Sequence, residues 1–188
     1  MAQTREKTGP LIADADIHAS DSPAALAPYI VQPWRKSLEM MASRPHGYLD
    51  VSGYSPGLRA DPPVPGGHPK LAVKTAKEMR QGLDDLGIAS GIIVPDYLLL
   101  FAILPNIEYA TALYQAYNRW LCDEWLDESM GLYGAIVACP QDPDDTVREI
   151  EKYADKPGVR ALYLPTAGVN PLWGHRRYDK IMAAAQSA

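Results

Sequence analysis

Three short apolar runs in this chain each stop at a proline: "IASGIIVP" at Pro95, "LYGAIVACP" at Pro140 and "VRALYLP" at Pro165. Amphipathic stretches lie between them. "PKLAVKTAKEMRQGLDDLGI" carries Leu71, Thr75, Met79, Leu83 and Leu86 on one helical stripe, with Gly87 placed to cap its end. "PNIEYATALYQAYNRWLCDEWLDES" puts Ala110, Leu113, Tyr117, Trp120 and Leu121 on an inner stripe behind the cap residue Asn106. "QDPDDTVREIEKYAD" opens with Asp142 as cap, Pro143 at the first helical position, and Asp144 and Asp145 at the positive helix end. A further helix begins in "RRYDKIMAAAQ". Near-continuous apolar strands alternating with helices predict a parallel sheet with covering helices, joined by right-handed crossovers. A proline ends ladder pairing and starts a loop. All the strand-terminal loops of such a sheet lie on its carboxyl edge, where α/β folds carry their chemistry.

The first strand, "LIADADIH" at residues 11–18, is unlike the others. Alternation places Leu11, Ala13, Ala15 and Ile17 on one face, and Ile12, Asp14, Asp16 and His18 on the other. Two carboxylates and an imidazole on a buried face must be paired, protonated or bound to something. Asp16 and His18, ~6–7 Å apart along the strand, can converge on one divalent cation. On a strand, such residues more often form a hydrogen-bonded pair. Residues 19–69 follow as a Pro-, Gly- and Tyr-rich tract, a poor helix or strand and too long for a simple connector. Its Tyr, Trp34 and Leu content predicts an ordered, lid-like insertion over the carboxyl edge.

The length of 188 residues suits one domain spanning 1–188. A net charge of −5 argues against nucleic acid as a partner. No apolar run is long enough for a membrane span, and "MAQTREKTGP" has no signal-peptide core. Cys122 and Cys139 lack metal-type spacing and are expected to be free thiols, which points to the cytoplasm. There is no phosphate-binding glycine loop, no "G-x-S-x-G" and no Cys/His dyad.

Five stretches in order, "LIADADIHASDSPAALAPYIVQPWR", "RADPPVPGGHP", "YNRWLCDEWLDES", "LYGAIVACPQDPDDTVREIEKYA" and "VNPLWGHRRYDKIMAAAQ", resemble the amidohydrolase-related family, which includes the aminocarboxymuconate-semialdehyde decarboxylase-like enzymes. The resemblance implies an α/β fold: a partial TIM-like barrel comprising about the first four βα units, with the long excursion after strand one. It implies a divalent metal, zinc or manganese, held by Asp16 and His18, with Asp14 as a supporting hydrogen-bond partner. The family draws further ligands and a catalytic His from strands five, six and eight, which this sequence does not contain. His46, His68 and His175 fall in loops and do not match those positions.

The expectation is therefore an amino-terminal half, truncated and inactive alone, that binds metal weakly if at all. The parent reaction would be decarboxylation or hydrolysis of a small cyclic or aromatic carboxylic acid. Arg59 could clamp the substrate carboxylate, or pair with Asp61 on the rim. Asp96 follows strand two on the pocket side, where it could touch substrate or serve the turn. His175 and Trp173 could touch substrate or belong to a surface loop. The alternative is a non-catalytic half-barrel serving as a structural or self-association module, and a homo-oligomer is compatible with either.

Overall fold

The computed structural model describes residues 11–19, 21–42, 73–96, 98, 102–166 and 168–188. Four strands, β1 (Ala13–His18), β2 (Ser90–Val94), β3 (Leu132–Val137) and β4 (Val159–Tyr163), form one sheet in sequential order. Every neighbouring pair is parallel. The helices are α1 (Pro23–Leu26), α2 (Trp34–Ala42), α3 (Ala76–Asp85), α4 (Ile107–Glu124), α5 (Pro143–Tyr153) and α6 (Asp179–Ser187), with short 3-10 turns at Glu128–Met130 and Arg176–Tyr178. This is the alternating parallel sheet that the proline-ended strands predict, and it agrees with the partial barrel that the family resemblance implies. Arg59, His46 and His68 lie outside the described residues, as does the whole of the 43–72 stretch.

The helix boundaries follow their capping chemistry. Asn106 Oδ1 accepts from the Tyr109 N–H at 2.9 Å, and Asp142 Oδ1 from the Asp145 N–H at 3.0 Å. Each supplies a partner that the first helical turn cannot supply for itself. Gly87 adopts φ 74° just beyond α3, the left-handed conformation that closes a helix. Thr75 is the cap of α3 and not a member of its stripe, taking the Glu78 N–H at 3.2 Å. Met79 and Leu83 are buried, whereas Leu86 is exposed because the helix has ended.

Helix α4 is the centre of the core. Ala110, Leu113, Tyr117 and Leu121 are fully buried, and Trp120 nearly so. Tyr117, Trp120 and Trp125 pack ring against ring, with centroids 5.6–5.7 Å apart. Gly134 lets α4 approach β3 closely, since a Cβ there would sit 2.6 Å from Leu126 and 2.9 Å from Leu121. Polar groups then lock α4 to its neighbours. The buried Asn118 accepts the Val137 N–H at 2.8 Å and donates to Glu149 on α5 at 3.0 Å. Gln115 donates to Asp145 on α5 at 2.9 Å. Asp145 and Glu149 are buried but paired, with Arg148 at 3.0 Å and Lys152 at 3.1 Å respectively. At the amino edge, Arg80 reaches the carbonyls of Ile88, Ala89 and Met130, tying the approaches to β2 and β3 together.

Two expectations need correction. The tract after β1 is not devoid of helix: its described part forms α1 and α2. Ser22 takes the Ala25 N–H, and Pro23 begins α1. This part packs along α4, with Trp34 5.1 Å from Tyr109 and Tyr29 hydrogen-bonded to Glu124. β1 also departs from strict alternation. Asp14 pairs with Gly91 but Ile17 pairs with Ile93, so β1 carries one extra residue between them. A bulge of this kind re-aims side chains locally. Ile17 enters the core over Gly91, where a Cβ would meet it at 2.6 Å, while Leu11, Ala13 and Ala15 stay exposed.

The buried network predicts a large difference between two asparagines. Asn118→Ala leaves the buried Val137 N–H without its acceptor and should lower stability by about 2–3 kcal/mol. Asn106→Ala removes an exposed cap and should cost about 1 kcal/mol. Urea unfolding followed by circular dichroism measures both, and equal losses would contradict the bridging role of Asn118.

Candidate metal and substrate site

Asp16 and His18 come together at the carboxyl end of β1. His18 Nε2 lies 3.3 Å from Asp16 Oδ1. The extra residue in β1 displaces the ladder at this point, and Asp14 Oδ1 accepts the Asp16 N–H at 3.0 Å. Asp14 thus holds the backbone of Asp16 with its own side chain. The pair is not on a buried face: Asp16 is 78% exposed and His18 32%. Open solvent on this side removes the desolvation cost that the sequence pattern suggested. It also leaves both side chains accessible to a cation.

The next strand brings Asp96 to the same edge, two residues past Val94, which pairs with His18. Its loop is braced by a residue that sequence reasoning missed. Asp21 is 1% exposed and accepts from the Asp96 N–H and the Leu98 N–H, each at 3.2 Å, one on each carboxylate oxygen. It therefore joins the loop after β1 to the loop after β2. The turn-forming "SDSP" around it marks a bend, but the partner lies 75 residues away and leaves no local signal.

His175 follows β4 and is exposed. It caps the 3-10 turn Arg176–Tyr178, with Nδ1 accepting the Arg177 N–H at 3.1 Å. Trp173 donates to the Pro165 carbonyl at 2.7 Å and stacks on Tyr178 at 4.5 Å. These two residues therefore shape the loop after β4. Among the described residues no group of three or more His, Cys, Asp or Glu side chains gathers as a metal site. The cysteines offer no nucleophile: Cys122 and Cys139 are free, and burial pushes both thiols up to about 11. No helix among the described residues is long and apolar enough to cross a membrane.

Comparison with known proteins supplies the larger context. Residues 103–188 match the family model described as amidohydrolase. No curated protein matches in sequence. Two solved structures of 5-carboxyvanillate decarboxylase from Novosphingobium aromaticivorans DSM 12444 share the fold, each with a TM-score of 0.59 and 17% identity. One holds manganese and 4-hydroxy-3-methoxy-5-nitrobenzoic acid, and covers 95% of this chain and 48% of its own. The other, a substituted variant, holds manganese and 3-methoxy-4-hydroxy-5-nitrobenzoic acid, with 94% and 47% covered. The chain spans about half the length of the solved structures it matches. Residues 103–188 are thus similar to the amidohydrolase family, and nearly the whole chain has the fold of about half of the solved structures it matches, a partial TIM-like barrel.

Proposed function

We propose that this chain carries the amino-terminal part of a metal-dependent site acting on a small aromatic or cyclic carboxylic acid, by decarboxylation or hydrolysis. The observation that carries the reading is the Asp16–His18 pair, 3.3 Å apart and open to solvent at the carboxyl edge of a parallel sheet. A carboxylate and an imidazole suit zinc or manganese, so the donor chemistry fits such an ion, with Asp16 and His18 as its holders. When bound, the ion would supply a positive charge that polarises substrate oxygen. Manganese and a nitrobenzoic acid in the solved structures of similar fold support both the metal and the ligand class.

The chain's own residues have defined tasks in this reading. Asp14 fixes the Asp16 backbone at the bulge, so that the Asp16 carboxylate stays beside His18. Asp21 holds the Asp96 loop against the end of β1 and so sets the wall beside the pair. Asp96 and His175 stand on loops of the carboxyl edge as candidate substrate contacts, and Arg59 is a candidate carboxylate clamp. Two donors hold a cation weakly, because an open catalytic zinc site ordinarily has three protein ligands. With the sheet open on this side, water is not excluded from the reacting centre. The 188-residue chain alone should therefore bind metal weakly and show no turnover. A homo-oligomer and a cytoplasmic location are compatible with this reading.

Two measurements follow. Isothermal titration with manganese should show weak binding to the 188-residue chain that disappears in the Asp16→Ala, His18→Ala double variant. Binding that survives in the double variant would remove the pair from the site, and tight stoichiometric binding would contradict a two-donor set. Asp21→Ala should leave the Asp96 and Leu98 amides without their acceptor. Hydrogen exchange at these two amides should then accelerate at least tenfold while exchange along α4 stays slow. Unchanged exchange at both amides would refute the brace.

A further inference from the structure

We propose that the loops after β2, β3 and β4 enclose a pocket for a small carboxylate, with Arg177 as its anion-binding group. The cavity measures about 160 Å³. Ala102, Ile107, Pro140 and Val169 form apolar walls, and Gln141 and Arg177 bring polar groups. Pockets for drug-sized molecules span roughly 300–1,000 Å³, so this one suits a single small ring or a short chain. It lies on the carboxyl edge, with Asp16 and His18 standing at the β1 end of the same edge.

Gln141 builds the pocket by joining the three loops. Its side chain donates to the Leu104 carbonyl, between β2 and α4, at 3.2 Å, and accepts from the Cys139 thiol at 3.5 Å. Its backbone carbonyl accepts from Arg177 Nη2, beyond β4, at 2.8 Å. Arg177 is held at two further points. Its guanidinium stands over the ring of the buried Tyr178, 5.9 Å from the centroid, and its backbone N–H donates to His175 Nδ1 at 3.1 Å. Tyr178 is fixed in turn by the Trp173 ring at 4.5 Å and by the Pro171 carbonyl at 3.2 Å. A cation held in this way gives up little freedom when it binds an anion. His175, by holding the Arg177 backbone, is a positioning residue.

The charge is available to a ligand. No carboxylate among the described residues pairs with Arg177, and nearby acids are engaged elsewhere. Asp142 caps α5, and Asp144 pairs with Lys180 at 2.6 Å. Arg177 is the one cation among the described residues that line the cavity. A planar guanidinium matches a carboxylate through two parallel hydrogen bonds. One cation between apolar walls therefore suits a monocarboxylate with an apolar body, and offers too little charge for a phosphate dianion. The choice of an aromatic acid rests on the proposed function; the geometry of the pocket does not.

The test titrates benzoate into the ¹⁵N-labelled 188-residue chain without metal, beside neutral benzamide and inorganic phosphate. Benzoate should saturably shift the backbone amides of Ile107, Gln141, Val169 and Arg177 and the indole N–H of Trp173, whereas benzamide and phosphate should not. Affinity should fall about tenfold or more in Arg177→Gln, which removes the charge from an exposed side chain. It should fall as far in Ile107→Glu, which sets a carboxylate against Arg177 from an exposed position in the first turn of α4, where an acid suits the helix. Should Arg177→Gln lose the circular-dichroism spectrum of the parent, Ile107→Glu decides. The Asp16→Ala, His18→Ala double variant should bind benzoate as the parent does. Absence of saturable shifts at these residues would overturn the proposal, as would equal binding of benzamide or phosphate, or undiminished binding in either pocket variant. Shifts centred on residues 16–18 and lost in the double variant would overturn it while supporting the Asp16–His18 reading, so the two fail separately.

Discussion

Parallel pairing is the constraint from which the rest of this molecule follows. Parallel strands cannot be joined by tight turns, so each step of β1-β2-β3-β4 requires a crossing segment. Between β2 and β3 that segment is α4, and between β3 and β4 it is α5. The strands must then end on a common edge, and the prolines after β2, β3 and β4 mark where the ladder gives way to loops. A chain built this way has one chemically productive edge. Asp16, His18, Asp96 and the loop carrying His175 all arrive at it because the topology leaves them no other place.

The helix–sheet contact is both tight and polar. Gly134 admits α4 to within contact of β3, and Asn118 then accepts the Val137 amide of that strand. Because Asn118 also donates to Glu149, one side chain couples α4, β3 and α5. The buried acids of α5 follow the same logic: burial of a charge is tolerated where a partner and hydrogen bonds accompany it. Toward the carboxyl edge, Asp21 plays the equivalent part for the loops, spending both oxygens on backbone amides of the neighbouring loop. Support of this kind holds the loops beside the exposed end of β1, where Asp14 fixes the Asp16 backbone next to His18.

Local chemistry made much of this legible from the residues. The caps Asn106 and Asp142, the Pro143 start of α5 and the Gly87 stop of α3 are determined by nearest neighbours and can be read directly. So can the strands that end on Pro95, Pro140 and Pro165. What could not be read is non-local. The bulge in β1 depends on how Asp14 and Ile17 register against β2, and alternation alone assumes there is none. The same assumption put the acidic face of β1 indoors, whereas Asp16 is open to solvent. The helices α1 and α2 were obscured by the prolines around them, although Ser22 followed by Pro23 is itself a helix-start signal. Asp21, Asn118 and Glu149 act across tens of residues, and no short motif announces such a bridge. Arg59, in the stretch outside the described residues, keeps its standing as a sequence-based expectation.

The account rests on Asp16 and His18 being the point where this fold meets a metal ion. Paramagnetic broadening of backbone amide signals by substoichiometric manganese tests that directly on the ¹⁵N-labelled chain. The account predicts broadening centred on residues 16–18 and spreading to the ends of β2 and β3, around residues 94–96 and 137–139, with the amino edge near Arg80 and Met130 unaffected. Broadening centred on the acidic surface of α5, or spread evenly over the exposed carboxylates, would contradict it.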